Sequence, residues 1–173
     1  MSSSATHVRA FLTSLLVQRR EAMGDERFLA KHPGSWLVWE PGKWNPSPSS
    51  PEESDSQATH RSSRSNARPL GGDALVFVLE PTPPRDILLG RGSEADLQVN
   101  DMTVSREHVR LSCDSAGWAV VEIADATLND EKLYPGRLVP LTNGARLACG
   151  DVRFTFYDST GFLERLTASA NRG

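Results

Sequence analysis

Cysteine is scarce in this sequence: Cys113 and Cys149 stand alone, with no CxxC pair and no neighbouring histidines or cysteines at metal-ligand spacing. That excludes a structural zinc site, and both thiols are expected to be free. Long apolar runs are missing too. The stretch from Phe11 to Val17 is broken by Thr13 and Ser14, has no basic segment ahead of it, and falls far short of the roughly 18 residues of a spanning helix. A soluble, cytoplasmic protein that binds no membrane is expected. Nor is there an excess of positive charge, since 19 Lys and Arg stand against 22 Asp and Glu, −3 overall. Counted by position, residues 1–44 carry +2, residues 45–72 carry zero and residues 73–173 carry −5. An acidic main body suits neither duplex nucleic acid nor a membrane surface, both of which select basic faces.

Hydrophobic residues make up 38% of the 173, and the 13 glycines bring the apolar share to roughly 45%, the low end of the globular range. A core therefore exists, but part of the chain is expected to lie outside it. Residues 45–72 hold eight Ser and four Pro, with only Ala58, Ala67 and Leu70 apolar. Such a stretch buries too little apolar surface to offset its ordering entropy, so a disordered linker is expected there. Within it, Arg61-Ser62-Ser63-Arg64-Ser65 sets hydroxyls beside basic residues, and Thr59 is its one threonine. The expected division is 1–44, an N-terminal helical and Trp-rich segment; 45–72, the linker; 73–158, a β domain; and 159–173, a C-terminal helix and tail.

In the first segment Val8, Phe11, Leu12, Leu15 and Leu16 recur at helical spacing, with Ser3 or Ser4 as N-cap. A second helical turn is expected from Asp25, carrying Phe28 and Leu29 and ending before Pro33-Gly34. Trp36-Leu37-Val38-Trp39 and Trp44 follow. Two readings stand for this segment. It docks its apolar face on the C-terminal domain, being too small to fold alone, or it anchors a partner, since Trp-rich apolar surface is typical of interface hot spots.

From residue 74 the period becomes that of strands: Leu75 to Leu79, Ile87 to Leu89, Leu97 and Val99, Val109 to Cys113, Trp118 to Ile123, Arg146 to Ala148 and Phe154 to Tyr157. Turn signals, including Pro81, Pro83 and Pro84, separate them at about 8–12 residues, as in an all-β sandwich. Phe162, Leu163 and Leu166 then mark a closing helix against the sandwich edge.

Two apparent motifs are decoys. Gly90-Arg91-Gly92-Ser93-Glu94-Ala95 fits the dinucleotide pattern, but Asp96-Leu97-Gln98-Val99 continues as a strand, with no helix to present its amides to pyrophosphate. Ser105 and His108 lack a G-x-S-x-G elbow. No catalytic residue, metal site or cofactor is expected, and the protein is not read as an enzyme.

The informative ensemble is Leu89-Gly90-Arg91, then Asp96-Leu97-Gln98-Val99, then Val104-Ser105-Arg106-Glu107-His108-Val109. In order and spacing it resembles the forkhead-associated (FHA) domain, whose signature joins Gly-Arg at a strand end, a D-[IL]-x-[LV] strand and S-R-x-H before the next strand. The resemblance covers about residues 73–158 and implies an all-β, FHA-like antiparallel β-sandwich whose loops bind phosphothreonine peptides. It implies phosphate contacts from Arg91 and Ser105, a phosphate or peptide contact from Arg106, and structural roles for Gly90 and His108. The chemistry agrees: phosphate carries about −1.5 to −2 charge, and two guanidiniums with a hydroxyl at loop tips are suitable donors.

One departure is plain. Where the family has S-x-N-G-T-x-x-N, this chain has Ile123-Ala124-Asp125-Ala126-Thr127-Leu128-Asn129, and Thr127 and Asn129 match only the motif's end. The implied function is recognition of a phosphothreonine-containing partner protein downstream of a Ser/Thr protein kinase, without nucleic acid. The alternative is a phosphate-independent scaffold or interaction subunit.

Overall fold

The computed structural model describes residues 8–46, 68–69, 71–80 and 86–172. The expected linker, with Thr59 and Arg61–Ser65, lies almost wholly outside the described residues, as do Ser3, Ser4 and the Pro81–Pro84 turn. The described chain forms a β-sandwich, mostly strand, with three helices on one outer face. One sheet has seven strands, in the order β1 (Ala10–Leu12), β3 (Leu75–Leu79), β2 (Ser35–Trp39), β12 (Val152–Tyr157), β11 (Arg146–Cys149), β8 (Ala126–Leu128) and β9 (Glu131–Lys132). The other has five, in the order β10 (Val139–Pro140), β7 (Gly117–Glu122), β6 (Val109–Asp114), β4 (Asp86–Gly90) and β5 (Leu97–Gln98). All pairings are antiparallel except β4 with β5.

The core lies between the sheets, where Leu37, Trp39, Phe77 and Phe154 from one face Leu89, Val109, Leu111 and Val120 from the other. A second apolar layer covers the back of the seven-stranded sheet. There α1 (Thr13–Met23), α2 (Asp25–Lys31) and α3 (Ser159–Ala170) place Leu16, Phe28, Phe162 and Leu166 on Trp36, Val38, Val76 and Val78. Trp36 is stacked between Phe28 and Phe162, the latter 4.0 Å away between ring centres. The closing helix thus lies on a sheet face, not at the expected edge, because β2 and β3 offer that face an apolar row of their own.

The N-terminal segment is woven into this architecture. β2 pairs with both β3 and β12, and Trp36 and Trp39 are buried within the chain, which favours the docking reading over the partner anchor. The helix expected from Val8 also starts later. Phe11 and Leu12 are extended and pair with Val76 and Leu75, and the chain turns helical only at Thr13, whose N–H and hydroxyl both donate to the Ala74 carbonyl. The open edge of β3 supplies hydrogen bonds that outweigh the local helical pattern, the usual way tertiary context overrides propensity.

Candidate functional site

β4 ends at Gly90, and beyond it the 91–95 and 103–108 loops run side by side. The Arg91 N–H donates to the Ser105 carbonyl at 2.8 Å, the Gly92 N–H to Arg106 at 3.0 Å, and the His108 N–H to Leu89 at 2.9 Å. Glycine is required at position 90: a Cβ there would lie 2.1 Å from the Arg106 carbonyl oxygen, inside any permitted contact. The close approach brings Arg91, Ser105 and Arg106 to the rim of one open cleft of about 830 Å3, lined also by Glu94, Glu107 and Ile123. Ser105 and Arg106 are exposed. The Arg91 Nε donates to the Val104 carbonyl at 3.1 Å, which fixes the guanidinium's direction while its terminal nitrogens remain available.

His108 is 3% exposed and bridges the loops. Its Nδ1 accepts the Ser105 N–H at 2.9 Å and its Nε2 lies 2.9 Å from the Asp125 carbonyl. An amide N–H only donates and a carbonyl only accepts, so the ring is the neutral tautomer with its proton on Nε2. The His108 carbonyl accepts from both Ile123 and Ala124, completing the tie to the third loop.

A second brace reaches the same loop from the N-terminal segment. Asp101, fully buried, accepts from Thr103 through N–H and hydroxyl and from the Asn45 N–H at 2.9 Å. Burial alone would raise this carboxyl, but the hydrogen bonds from Thr103 and Asn45 outweigh it and hold Asp101 below the ordinary aspartate range. Met102 N–H donates to the Asn45 carbonyl, and Trp44 Nε1 donates to Asn100.

The cleft does not include Thr127 or Asn129. Thr127 lies in β8, paired with Ala148 and Lys132. Asn129 and Asp130 form the two-residue turn between β8 and β9, both with positive φ, and the Asn129 side chain accepts the Arg146 N–H at 2.9 Å. Asn129 is thus spent on a tight hairpin turn, a role its tolerance of that backbone region explains. Gly92, Ser93, Glu94, Glu107 and Ile123 are the lining residues that sequence reasoning missed. The only signal for the two glutamates was adjacency to the arginine motifs.

Residues 87–150 match the family model of the FHA domain. No curated protein matches the chain. Among solved structures it is similar to the FHA domain of the CT664 protein from Chlamydia trachomatis, at 12% identity over 72% of this chain and 98% of that one, with TM-score 0.47. It is also similar to the FHA domain of an Arabidopsis thaliana hypothetical protein, at 25% identity over 52% and 77% of the two chains, TM-score 0.43. A third is the N-terminal FHA domain of S. cerevisiae Rad53p in complex with a phosphothreonine peptide, at 18% identity over 45% and 71%, TM-score 0.41.

Proposed function

We propose that this FHA-like domain recognises phosphothreonine in a partner protein, downstream of a Ser/Thr kinase, without chemistry of its own. The observation that carries the reading is the convergence of Arg91, Ser105 and Arg106 from two backbone-tied loops onto one cleft. Fixed cationic donors at loop tips are what a phosphate dianion needs, and charge-assisted hydrogen bonds are the strong ones. Arg91 and Ser105 hold phosphate, Arg106 holds phosphate or peptide backbone, and Gly90 and His108 hold the loops.

Two arginine contacts and one serine contact amount to about 4.5–9 kcal/mol gross, before association and ordering costs. A micromolar complex requires about 8 kcal/mol net, so dissociation constants of roughly ten micromolar or weaker are expected for isolated peptides. The test is calorimetry of the full chain against a phosphothreonine peptide library and its unphosphorylated twin. The full chain is used because β2 lies between β3 and β12. Arg91→Ala is expected to remove phosphate-dependent binding, and unchanged affinity in the folded variant overturns the assignment.

The third loop favours a second reading. The stretch from Ile123 to Thr127 contains no Asn-Gly-Thr, and no amide side chain is offered there to a bound backbone. A phosphate-independent scaffold would bind its partner equally with and without phosphate.

A further inference from the structure

Each of the two recognition loops brings one arginine and one glutamate to the cleft: Arg91 and Glu94 from the first, Arg106 and Glu107 from the second. Among the described residues none of these four side chains forms a salt bridge within 4.0 Å, although the Arg91 Nε donates to the Val104 carbonyl at 3.1 Å. Some surface charges elsewhere do pair, as Arg146 does with Asp130 and Lys132 with Asp125. The cleft therefore holds two cations and two anions, and its own net charge is zero.

That neutrality bears on which phosphorylated ligand fits. A phosphothreonine adds about −1.5 to −2 charge. Residues 73–173 already carry 10 basic against 15 acidic side chains, a net −5. A ligand bringing the phosphate alone would satisfy the arginines and leave Glu94 and Glu107 repelling it. The cube root of the cleft volume, roughly 9 Å, is slightly above the Debye length of about 8 Å at physiological salt, so the four charges act on one ligand with partial screening and more strongly as salt is lowered. An extended peptide covers that span with about three residues at ~3.3 Å each.

We infer that Glu94 and Glu107 select ligands whose phosphothreonine is flanked, within about three residues, by arginine or lysine. This rests on the phosphothreonine reading and deepens it, with the arginines taking the phosphate and the glutamates taking the neighbouring cation. A lysine or arginine on the ligand pairs with an exposed carboxylate, an interaction good for about two- to fivefold in affinity per pair, and an acidic neighbour loses a similar factor.

The test uses the full chain and three phosphothreonine peptides identical except that the flanking positions are Arg, Ala or Glu, each with its unphosphorylated form. The expected order is Arg tighter than Ala tighter than Glu, spanning about tenfold at low salt and narrowing as salt is raised. The double variant Glu94→Lys and Glu107→Lys, both sites being exposed, is expected to reverse the order. Phosphate-dependent binding that ignores flanking charge overturns the selectivity and leaves the phosphothreonine reading standing. Absence of phosphate dependence in all three peptides overturns that reading, and the selectivity with it.

Discussion

His108 is the best point at which to separate a loop brace from a chemical group, because its two ring nitrogens have different partners. In His108→Ala the Ser105 N–H and the Asp125 carbonyl both lose their bond, about 0.5–1.5 kcal/mol each, and the buried ring leaves a void costing roughly 1 kcal/mol more. The sum is about 2–4 kcal/mol, or a fall in melting temperature of roughly 4–16 °C for a chain of this size. Conservative variants divide the loss. His108→Asn puts an acceptor near the Nδ1 position and keeps the Ser105 contact, whereas His108→Gln puts a donor near Nε2 and keeps the one to Asp125. Each is expected to lose about half of what alanine loses. Differential scanning calorimetry on the four proteins is the measurement. An alanine variant melting within about 1 °C of the parent refutes the brace, and one that stays stable but loses function puts chemistry at the ring.

Three further outcomes are expected. Gly90→Ala drives a Cβ into the Arg106 carbonyl, parts the two loops and costs about 2–4 kcal/mol, seen as a lower denaturation midpoint together with lost peptide binding. Asn45→Ala removes the side-chain amide bonds to Asp101 and Asp151 and leaves the main-chain N–H on Asp101; amide exchange at Thr103 and Ser105 is expected to quicken modestly, and unchanged exchange would show the side-chain part of the clamp to be idle. His32, 5% exposed with an unpartnered Nδ1, is held below the ordinary histidine range by burial first and by Arg9, Arg19 and Lys31 next. The unfolded chain therefore takes up its proton first, and His32 contributes stability that is present above about pH 6.5 and lost as pH falls through the lower folded value. His32→Leu is expected to flatten the acid limb of a stability-against-pH curve below about pH 6.5, and an identical limb would refute it.

The strands that were legible are those with one buried face. β6, β7 and β12 alternate buried and exposed positions, so a period of two is written into Val109–Asp114, Gly117–Glu122 and Val152–Tyr157. β2 was not legible, because Leu37 and Trp39 face the sandwich while Trp36 and Val38 face the helices, and burial on both sides erases the alternation. The same applies to Phe11 and Leu12, whose helical spacing carried no trace of the edge strand they join. In the site, Arg91, Ser105 and Arg106 were readable as a motif, since loop-tip cations beside glycine have a chemical purpose. Glu94 and Glu107 read as ordinary solvated charge until the loops converge. Asn129 lies in the β8–β9 turn outside the cleft lining, a placement not legible in the sequence because spacing along the chain does not say where a hairpin turns.

What holds the loops and what faces the cleft are nearly separate sets of atoms. The loops are held by main-chain hydrogen bonds, by the His108 ring and by the Asp101 carboxylate, whereas the Arg106 side chain, exposed at the rim, makes no hydrogen bond or ion pair among the described residues. Arg91 is the exception, since its Nε is tied to the Val104 carbonyl. Arg106→Ala is therefore expected to leave the melting temperature within about 1 °C of the parent while weakening phosphopeptide binding, because a surface group without partners contributes little to stability. Arg91→Ala is expected to weaken binding more and also to cost about 0.5–1.5 kcal/mol of stability through the lost bond. The two variants measured side by side give a sharp check. If Arg106→Ala is the more destabilising of the pair, the division between frame and reader is wrong, and the cationic rim belongs to the frame.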